Sequence, residues 1–136
     1  MLTPVLALVC WTLIVWVWMY ATRIPAMQAA KIDPQSALHP GSLATLPTHV
    51  RVVADNYNHL HEQPTIFYAL AIYTHLAGVG DALTIAFAWA YVALRVAHSL
   101  MQIVVRRVIL RFTSFALAAI CLIVIAIHNL LALAQG

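Results

Sequence analysis

The chain has 136 residues, of which 64% are hydrophobic and only 8% are charged. A water-soluble domain of this size could not bury so much apolar surface, so the composition excludes a soluble globular protein and indicates a membrane protein. The formal net charge of +3, from seven basic and four acidic side chains, is too small for a nucleic-acid-binding surface.

Four hydrophobic segments follow one another along the chain, at residues 2–21, 63–80, 82–105 and 108–134. Each is close to, or longer than, the roughly 20 residues that a helix needs to cross the hydrocarbon core. The first segment lacks a basic start and is longer than the apolar part of a signal peptide, so it is predicted to stay as a transmembrane helix. The predicted fold is an all-α integral membrane protein, a bundle of four transmembrane helices in a single domain over residues 1–136.

The first connection, residues 22–47, is the only long polar stretch. It is predicted to be an irregular loop because it contains four prolines: Pro25, Pro34, Pro40 and Pro47. Apolar residues return at helical spacing after residue 48, so the second helix is predicted over residues 48–80. That helix enters the membrane after Glu62, and Pro64 is a point where it could kink. The third and fourth helices are predicted over residues 82–105 and 108–134.

The basic side chains lie in two of the three connections. They are Arg23, Lys31 and Arg51 around the first connection, and Arg106, Arg107 and Arg111 around the third. The N-terminus, the second connection and the C-terminus carry no lysine or arginine side chain. The positive-inside rule therefore predicts that the first and third connections are cytoplasmic and that both termini lie outside.

A short turn, "AGVGDA", is predicted to join the second and third helices as an antiparallel hairpin. The distance of each residue from that turn can be counted at about 1.5 Å per residue. These distances place Glu62, Arg95 and His98 at the same depth, within about one helical turn. The next turn brings Arg111 level with Gln102. One polar layer is therefore predicted in the cytoplasmic half of the bundle.

Arg95, His98 and Gln102 follow i, i+3, i+7 spacing and so share one face of the third helix. Glu62 is the one carboxylate expected at membrane depth, and an unpaired charge there is costly. Glu62 and Arg95 are therefore predicted to interact, within one chain or across a subunit boundary. The alternative is that this pair has no role other than to fix the register of the helices. No acidic residue remains as a partner for Arg111. Its side chain therefore either extends to the membrane–water interface or binds an anionic group.

No metal site is predicted. His59 and His61 are two residues apart on a helix and point to different sides, so Glu62 and His98 could join only one of them. No Ser-His-Asp arrangement, nucleophile elbow or phosphate loop appears in the sequence. Cys10 and Cys121 both lie in apolar segments, which favours buried free thiols over a disulfide.

Two stretches carry a family resemblance: "RVVADNYNHLHEQPTIFYAL" from residue 51 and "LRVAHSLMQIVVRRVILRF" from residue 94. The second is similar to the R-V-x-H segment, followed by two spaced arginines, of the MAPEG family, the membrane-associated proteins of eicosanoid and glutathione metabolism. The four-helix layout agrees as well, so the resemblance covers nearly the whole chain. Pro64, two residues after the glutamate, resembles the bacterial side of the family, which implies a bacterial inner membrane.

The resemblance implies a homotrimer with glutathione bound at subunit interfaces in the cytoplasmic half. It implies that Arg111 is the catalytic residue, because a cation near the glutathione sulfur favours the thiolate. It implies glutathione contacts for seven further residues: Arg23, Asn58, His59, Glu62, Arg95, His98 and Gln102. Three of these depart from the pattern of animal members, which have Asn at 59, Arg at 58 and Tyr at 102.

The function implied by the resemblance is a glutathione or other thiol transferase, or a peroxidase, that acts on lipophilic electrophiles or lipid hydroperoxides. The alternative is a non-catalytic membrane scaffold or lipid-binding protein that keeps the fold. The expected partners are further copies of the chain, membrane lipids and a lipophilic small molecule, and no nucleic acid.

Overall fold

The computed structural model describes residues 1–39 and 41–135, and within these residues the chain is helical, without any strand. The α-helices are α1 (Leu2–Ala29), α2 (Thr48–His59), α3 (Gln63–Leu76), α4 (Ala82–Leu100) and α5 (Val108–Gln135). A 3₁₀ turn at Pro34–Ser36 lies between α1 and α2, and a π-helical turn, Met101–Val105, continues α4. The predicted all-α class is confirmed. Pro40 of the predicted loop lies outside the described residues.

Three helical stretches are long and apolar enough to cross a membrane: α1, α4 with its π-helical continuation, and α5. The prediction of a membrane protein is therefore confirmed. α3 has 14 residues and rises about 21 Å, less than the roughly 30 Å of hydrocarbon. The predicted count of four spans stays a prediction for that reason.

α1 is longer than predicted and ends at Ala29 rather than at residue 21, so the prediction of an irregular loop is wrong for residues 22–29. Pro25 lies inside the helix, where it removes one backbone donor. The Ala, Met and Gln residues that follow it favour helix strongly enough to continue the chain. The helix stops where Lys31 adopts a left-handed backbone with φ 54°.

The helix predicted over residues 48–80 is divided into α2 and α3 by the non-helical segment 60–62. Pro64 explains the break, because it has no N–H for a helical bond to the Leu60 carbonyl and its ring crowds that carbonyl. Proline also disfavours helical geometry at the residue before it. α2 packs on α1, whereas α3 packs on both α1 and α5.

The turn between α3 and α4 is tight, as predicted. Gly78 adopts a positive φ of 68°, a conformation that glycine reaches without strain. Asp81 caps α4: its side chain accepts from the Thr84 N–H at 2.8 Å, and the Thr84 hydroxyl accepts from the Asp81 N–H at 2.9 Å. His128 Nε2 of α5 lies 3.1 Å from Asp81 Oδ2. These bonds tie the ends of α4 and α5 together.

α4 lies at the centre of the molecule, packed on α5 and on α1. The Phe67 ring of α3 stacks on the Tyr91 ring of α4 with 4.5 Å between centroids. Trp11 Nε1 of α1 donates to Ser99 Oγ of α4 at 3.1 Å. These contacts fix α4 on three sides, so its polar residues are held in a defined position within the bundle.

Candidate functional site

One face of α4 and its continuation carries three buried polar side chains. Arg95, His98 and Gln102 have 0%, 4% and 5% of their surface exposed. They point inward together, as their spacing predicts. Arg95 and Gln102 contact α2, whereas His98 contacts α5, and these contacts define the candidate site.

Arg95 bonds the backbone where α2 ends. Its Nη2 donates to the His59 carbonyl at 2.6 Å, and its Nη1 lies 3.5 Å from Gln63 Oε1. In an unbroken helix the N–H of Gln63 would bond to that carbonyl. The break removes this donor, and the guanidinium takes its place. The Phe115 ring, 5.8 Å from Arg95 Cζ, adds a cation–π contact.

The predicted ion pair between Glu62 and Arg95 does not form within the chain. The Glu62 carboxylate is 60% exposed and lies 2.9 Å from His59 Nδ1. The reason is the break before α3, which takes Glu62 out of the position that it would have on a continuous helix. Arg95 therefore reaches the main chain instead of the carboxylate.

His98 is bound to the first turns of α5. Its Nδ1 lies 3.1 Å from the Arg111 carbonyl oxygen, and because a carbonyl only accepts, Nδ1 carries the proton. The other nitrogen, Nε2, is buried and has no hydrogen-bond partner in residues 1–39 and 41–135. The His59 ring stands edge-on to the His98 ring, 6.1 Å between centroids.

Gln102 pairs with a residue that the sequence reasoning missed. Asn56 of α2 donates through Nδ2 to Gln102 Oε1 at 3.0 Å, and both side chains are buried. A polar residue three positions before His59 on the same helix was the signal available for finding it. Asn58, which was predicted instead, is exposed.

The His98 groove is an opening of about 230 Å³ between the end of α2, the start of α3 and the first turns of α5. Its lining includes His59, Glu62, His98, Arg111, Phe112 and Phe115. Four predicted site residues thus meet in one place. Arg95 lies behind the groove, bonded to the His59 carbonyl, whereas Arg23 and Asn58 do not line the groove as the described residues form it.

Arg111 is the unpaired cation of the groove. Its side chain is half-buried, and within the described chain its guanidinium makes no hydrogen bond or ion pair at standard distances. The aromatic rings of Phe112 and Phe115 lie on the same wall. A cation in such weakly polar surroundings attracts an anionic group more strongly than it would in water.

Metal ligands and a disulfide are not part of this site. No three His, Cys, Asp or Glu side chains converge on a common point in the portion of the chain that the structure covers. Both cysteines are free thiols. Cys121 is buried as predicted, whereas Cys10 lies on the exposed face of α1, so its predicted burial inside the protein is wrong.

Comparison with known proteins gives one match. The family model for MAPEG matches residues 1–131, which include every residue of the His98 groove. No curated protein and no solved structure shows significant similarity to the chain. The family match agrees with the apolar helices and relates the protein, in general terms, to glutathione and eicosanoid metabolism in membranes. The chain therefore belongs to the MAPEG family.

Proposed function

We propose that the protein is a membrane thiol transferase or peroxidase that uses glutathione and acts on lipophilic electrophiles or lipid hydroperoxides. The observation that carries this proposal is Arg111, a half-buried guanidinium without a partner among the described residues, placed beside an aromatic wall in the His98 groove. Family membership supports the choice of glutathione as the thiol.

The residues of the groove suit the chemistry of glutathione, which has two carboxylates, one ammonium group and a thiol. Glu62 offers an exposed carboxylate to the ammonium group, and Arg111 offers a cation to a carboxylate or the sulfur. When bound, glutathione would supply a thiolate that forms a carbon–sulfur bond as a leaving group departs or a strained ring opens, or that reduces a hydroperoxide to an alcohol and water as two glutathione molecules are oxidised to the disulfide. Arg111 favours the ionised sulfur because it places a positive charge beside it.

The surrounding residues keep Arg111 in place and keep water away. His98 donates to the Arg111 carbonyl, which fixes the start of α5 and so the backbone position from which the guanidinium extends. Phe115 limits water on the protein side of the groove, and this strengthens the attraction between the cation and a thiolate. Phe112 is 69% exposed, so a lipophilic molecule can approach this wall from the bilayer.

The groove in one chain is too small for the whole ligand. Its volume of about 230 Å³ lies below the range of about 300–1,000 Å³ that is usual for ligand pockets. We propose that a second copy completes it in a homotrimer of single-domain, four-span subunits, where an ion pair of Glu62 with the partner copy becomes available. The proposed location is a bacterial inner membrane, with the first and third connections in the cytoplasm.

Calorimetry with the detergent-solubilised protein tests the proposal. Glutathione should bind saturably to the wild type, and Arg111→Ala should weaken binding at least about tenfold, since a hydrogen bond to a charged group contributes about 1.5–3 kcal/mol. Arg51→Ala is the matched control because Arg51 is an exposed arginine outside the groove. Equal affinity in the wild type and Arg111→Ala would exclude the assigned role.

A specific observation favours the alternative of a non-catalytic scaffold or lipid-binding protein. Arg95 and Gln102 are already bonded within the chain, so part of the polar layer is satisfied without any ligand. This alternative predicts no glutathione binding at millimolar concentration and no thiol-dependent turnover. Saturable binding that depends on Arg111 would rule it out.

A further inference from the structure

A second opening, the arginine cleft, lies between α2 and the turn that joins α4 to α5. It has a volume of about 150 Å³, and its lining includes Asp55, Gln102, Arg106, Arg107, Val108 and Arg111. Arg111 and Val108 border both this cleft and the His98 groove. The glutathione proposal does not use Arg106 or Arg107, and the positive-inside rule accounts only for the side of the membrane on which they lie.

The charges of the arginine cleft are not balanced. Three guanidinium groups face one carboxylate, that of Asp55. Within residues 1–39 and 41–135, the ion pairs are those of His59 with Glu62 and of His128 with Asp81. No arginine nitrogen in these residues comes within ion-pair distance of Asp55. Arg106 makes one long bond, from Nε to the Ile103 carbonyl at 3.5 Å. The cleft therefore keeps an excess of positive charge.

The uncharged polar groups of the cleft are also donors. Gln102 is more than nine-tenths buried and its carbonyl oxygen already accepts from Asn56, so its amide nitrogen is the group left to bind. α5 begins at Val108, which brings the positive end of a 28-residue helix to the cleft. A ligand of this cleft must accept several hydrogen bonds and carry negative charge.

The backbone of the turn holds the arginines at this position at some energetic cost. Arg106 adopts a left-handed conformation with φ 58°, which is sterically unfavourable for a non-glycine residue. The residues next to it are apolar and exposed: Val104, Val105 and Ile109 have 63%, 51% and 78% of their surface open. Cations and apolar side chains thus lie side by side at the ends of two membrane-spanning helices.

We propose that the arginine cleft binds the phosphate headgroup of an anionic membrane phospholipid, whose acyl chains cover Val104, Val105 and Ile109. A free phosphate ion would satisfy the donors but leave those apolar side chains uncovered. A phospholipid satisfies both, and basic residues at a membrane surface each contribute about 1 kcal/mol to the binding of anionic lipid. The bound headgroup lowers the excess positive charge of the cleft next to Arg111 and adds negative charge at one edge of the His98 groove.

Native mass spectrometry of the full protein in detergent tests this proposal. The wild type is titrated with phosphatidylglycerol or with phosphatidylcholine of the same acyl chains, and the bound lipids are counted. Phosphatidylglycerol should bind more tightly, and Arg107→Gln should weaken its binding about fivefold. Arg51→Gln, which changes an exposed arginine outside the cleft, should bind like the wild type.

Three results would overturn the proposal. Equal binding of the two lipids would show that the headgroup charge is not recognised. Unchanged phosphatidylglycerol binding in Arg107→Gln would place the lipid elsewhere, and inorganic phosphate that competes at equal concentration would identify a free anion as the occupant. Salt provides a check that needs no variant: added NaCl should release phosphatidylglycerol from the wild type, and retention at high salt would contradict the role of charge.

Discussion

Arg95 is a fully buried guanidinium whose described contacts are a main-chain carbonyl, an amide oxygen and an aromatic ring, with no carboxylate. The sequence correctly predicts that Arg95 faces inward and lies level with the residues near Glu62, because both follow from counting residues along a helix. It predicts the wrong partner within the chain, because the count assumes that the helix before it is continuous. The break leaves the His59 carbonyl with a long bond from the Glu62 N–H at 3.5 Å, and Arg95 supplies its short bond at 2.6 Å.

Substitutions of Arg95 and Glu62 distinguish the bond of Arg95 to the His59 carbonyl from the predicted ion pair with Glu62. Arg95→Leu leaves the His59 carbonyl without its side-chain donor and should lower the free energy of unfolding by about 1.5–3 kcal/mol. Glu62→Gln should cost at most about 1 kcal/mol, because the pair that Glu62 makes with His59 is exposed. Both values can be measured by unfolding in mixed detergent and SDS. Equal losses in the two variants would argue that Glu62 and Arg95 stabilise one another after all.

The break between α2 and α3 is the element that builds the groove. It brings His59 and Glu62 to the mouth of the His98 groove, and α3 restarts immediately after them. The sequence predicts a possible kink at Pro64, because proline lacks the N–H of a helical hydrogen bond and its ring crowds the preceding turn. It does not reveal that three residues, 60–62, leave the helix, because a proline can either kink a helix or end it.

Pro64→Ala tests the role of the break. Alanine restores the missing N–H and favours helix, so α2 and α3 should join at least in part. Amide hydrogen exchange at residues 61–63 should slow, and glutathione binding should weaken as His59 and Glu62 shift. Pro47→Ala is the control, because Pro47 is exposed at the start of α2 and outside the groove. Faster or unchanged exchange in Pro64→Ala would show that another feature causes the break.

The α4 cap at Asp81 gives a pH dependence of stability. The hydrogen bond from the Thr84 backbone holds the pKa of Asp81 below its ordinary value, so the ionised form stabilises the folded protein. That contribution is fully present above the unfolded-state pKa of about 3.9 and is lost as the pH falls through the lower folded-state value. Asp81→Ala should therefore lower Tm at neutral pH and approach the wild type below about pH 4. A Tm difference that stays constant with pH would contradict this linkage.

At the scale of the whole molecule, composition and periodicity predict the class and the order of the helices, because lipid exposure demands long apolar segments. α5 and the stretch of α4 with its π-helical turn lie where the sequence predicts them. The contacts between helices are less predictable: neither Asn56 with Gln102 nor the bond of His98 to the Arg111 carbonyl follows from spacing on one helix. The assembly of several copies is harder still to predict from the sequence, because surfaces that face lipid and surfaces that face another copy are both apolar.

The exposed surface is consistent with the proposed assembly. Large apolar side chains are exposed along α1 and α5, including Leu6, Leu13, Leu130 and Leu133 at 62%, 56%, 64% and 68%. In a membrane these surfaces contact lipid or further copies of the chain. The apolar surface does not distinguish between these two partners, so the small volume of the His98 groove is the observation that favours a site completed by a second copy.

In the proposed function, Arg111 stabilises the thiolate of bound glutathione. A pH titration of the ultraviolet thiolate absorbance of glutathione bound to the assembled protein in detergent tests this claim. The bound thiol should ionise at clearly lower pH than a free thiol, whose pKa is about 8.5, and Arg111→Ala should abolish the difference. An ionisation midpoint equal to that of free glutathione, or one that does not change in Arg111→Ala, would contradict the claim.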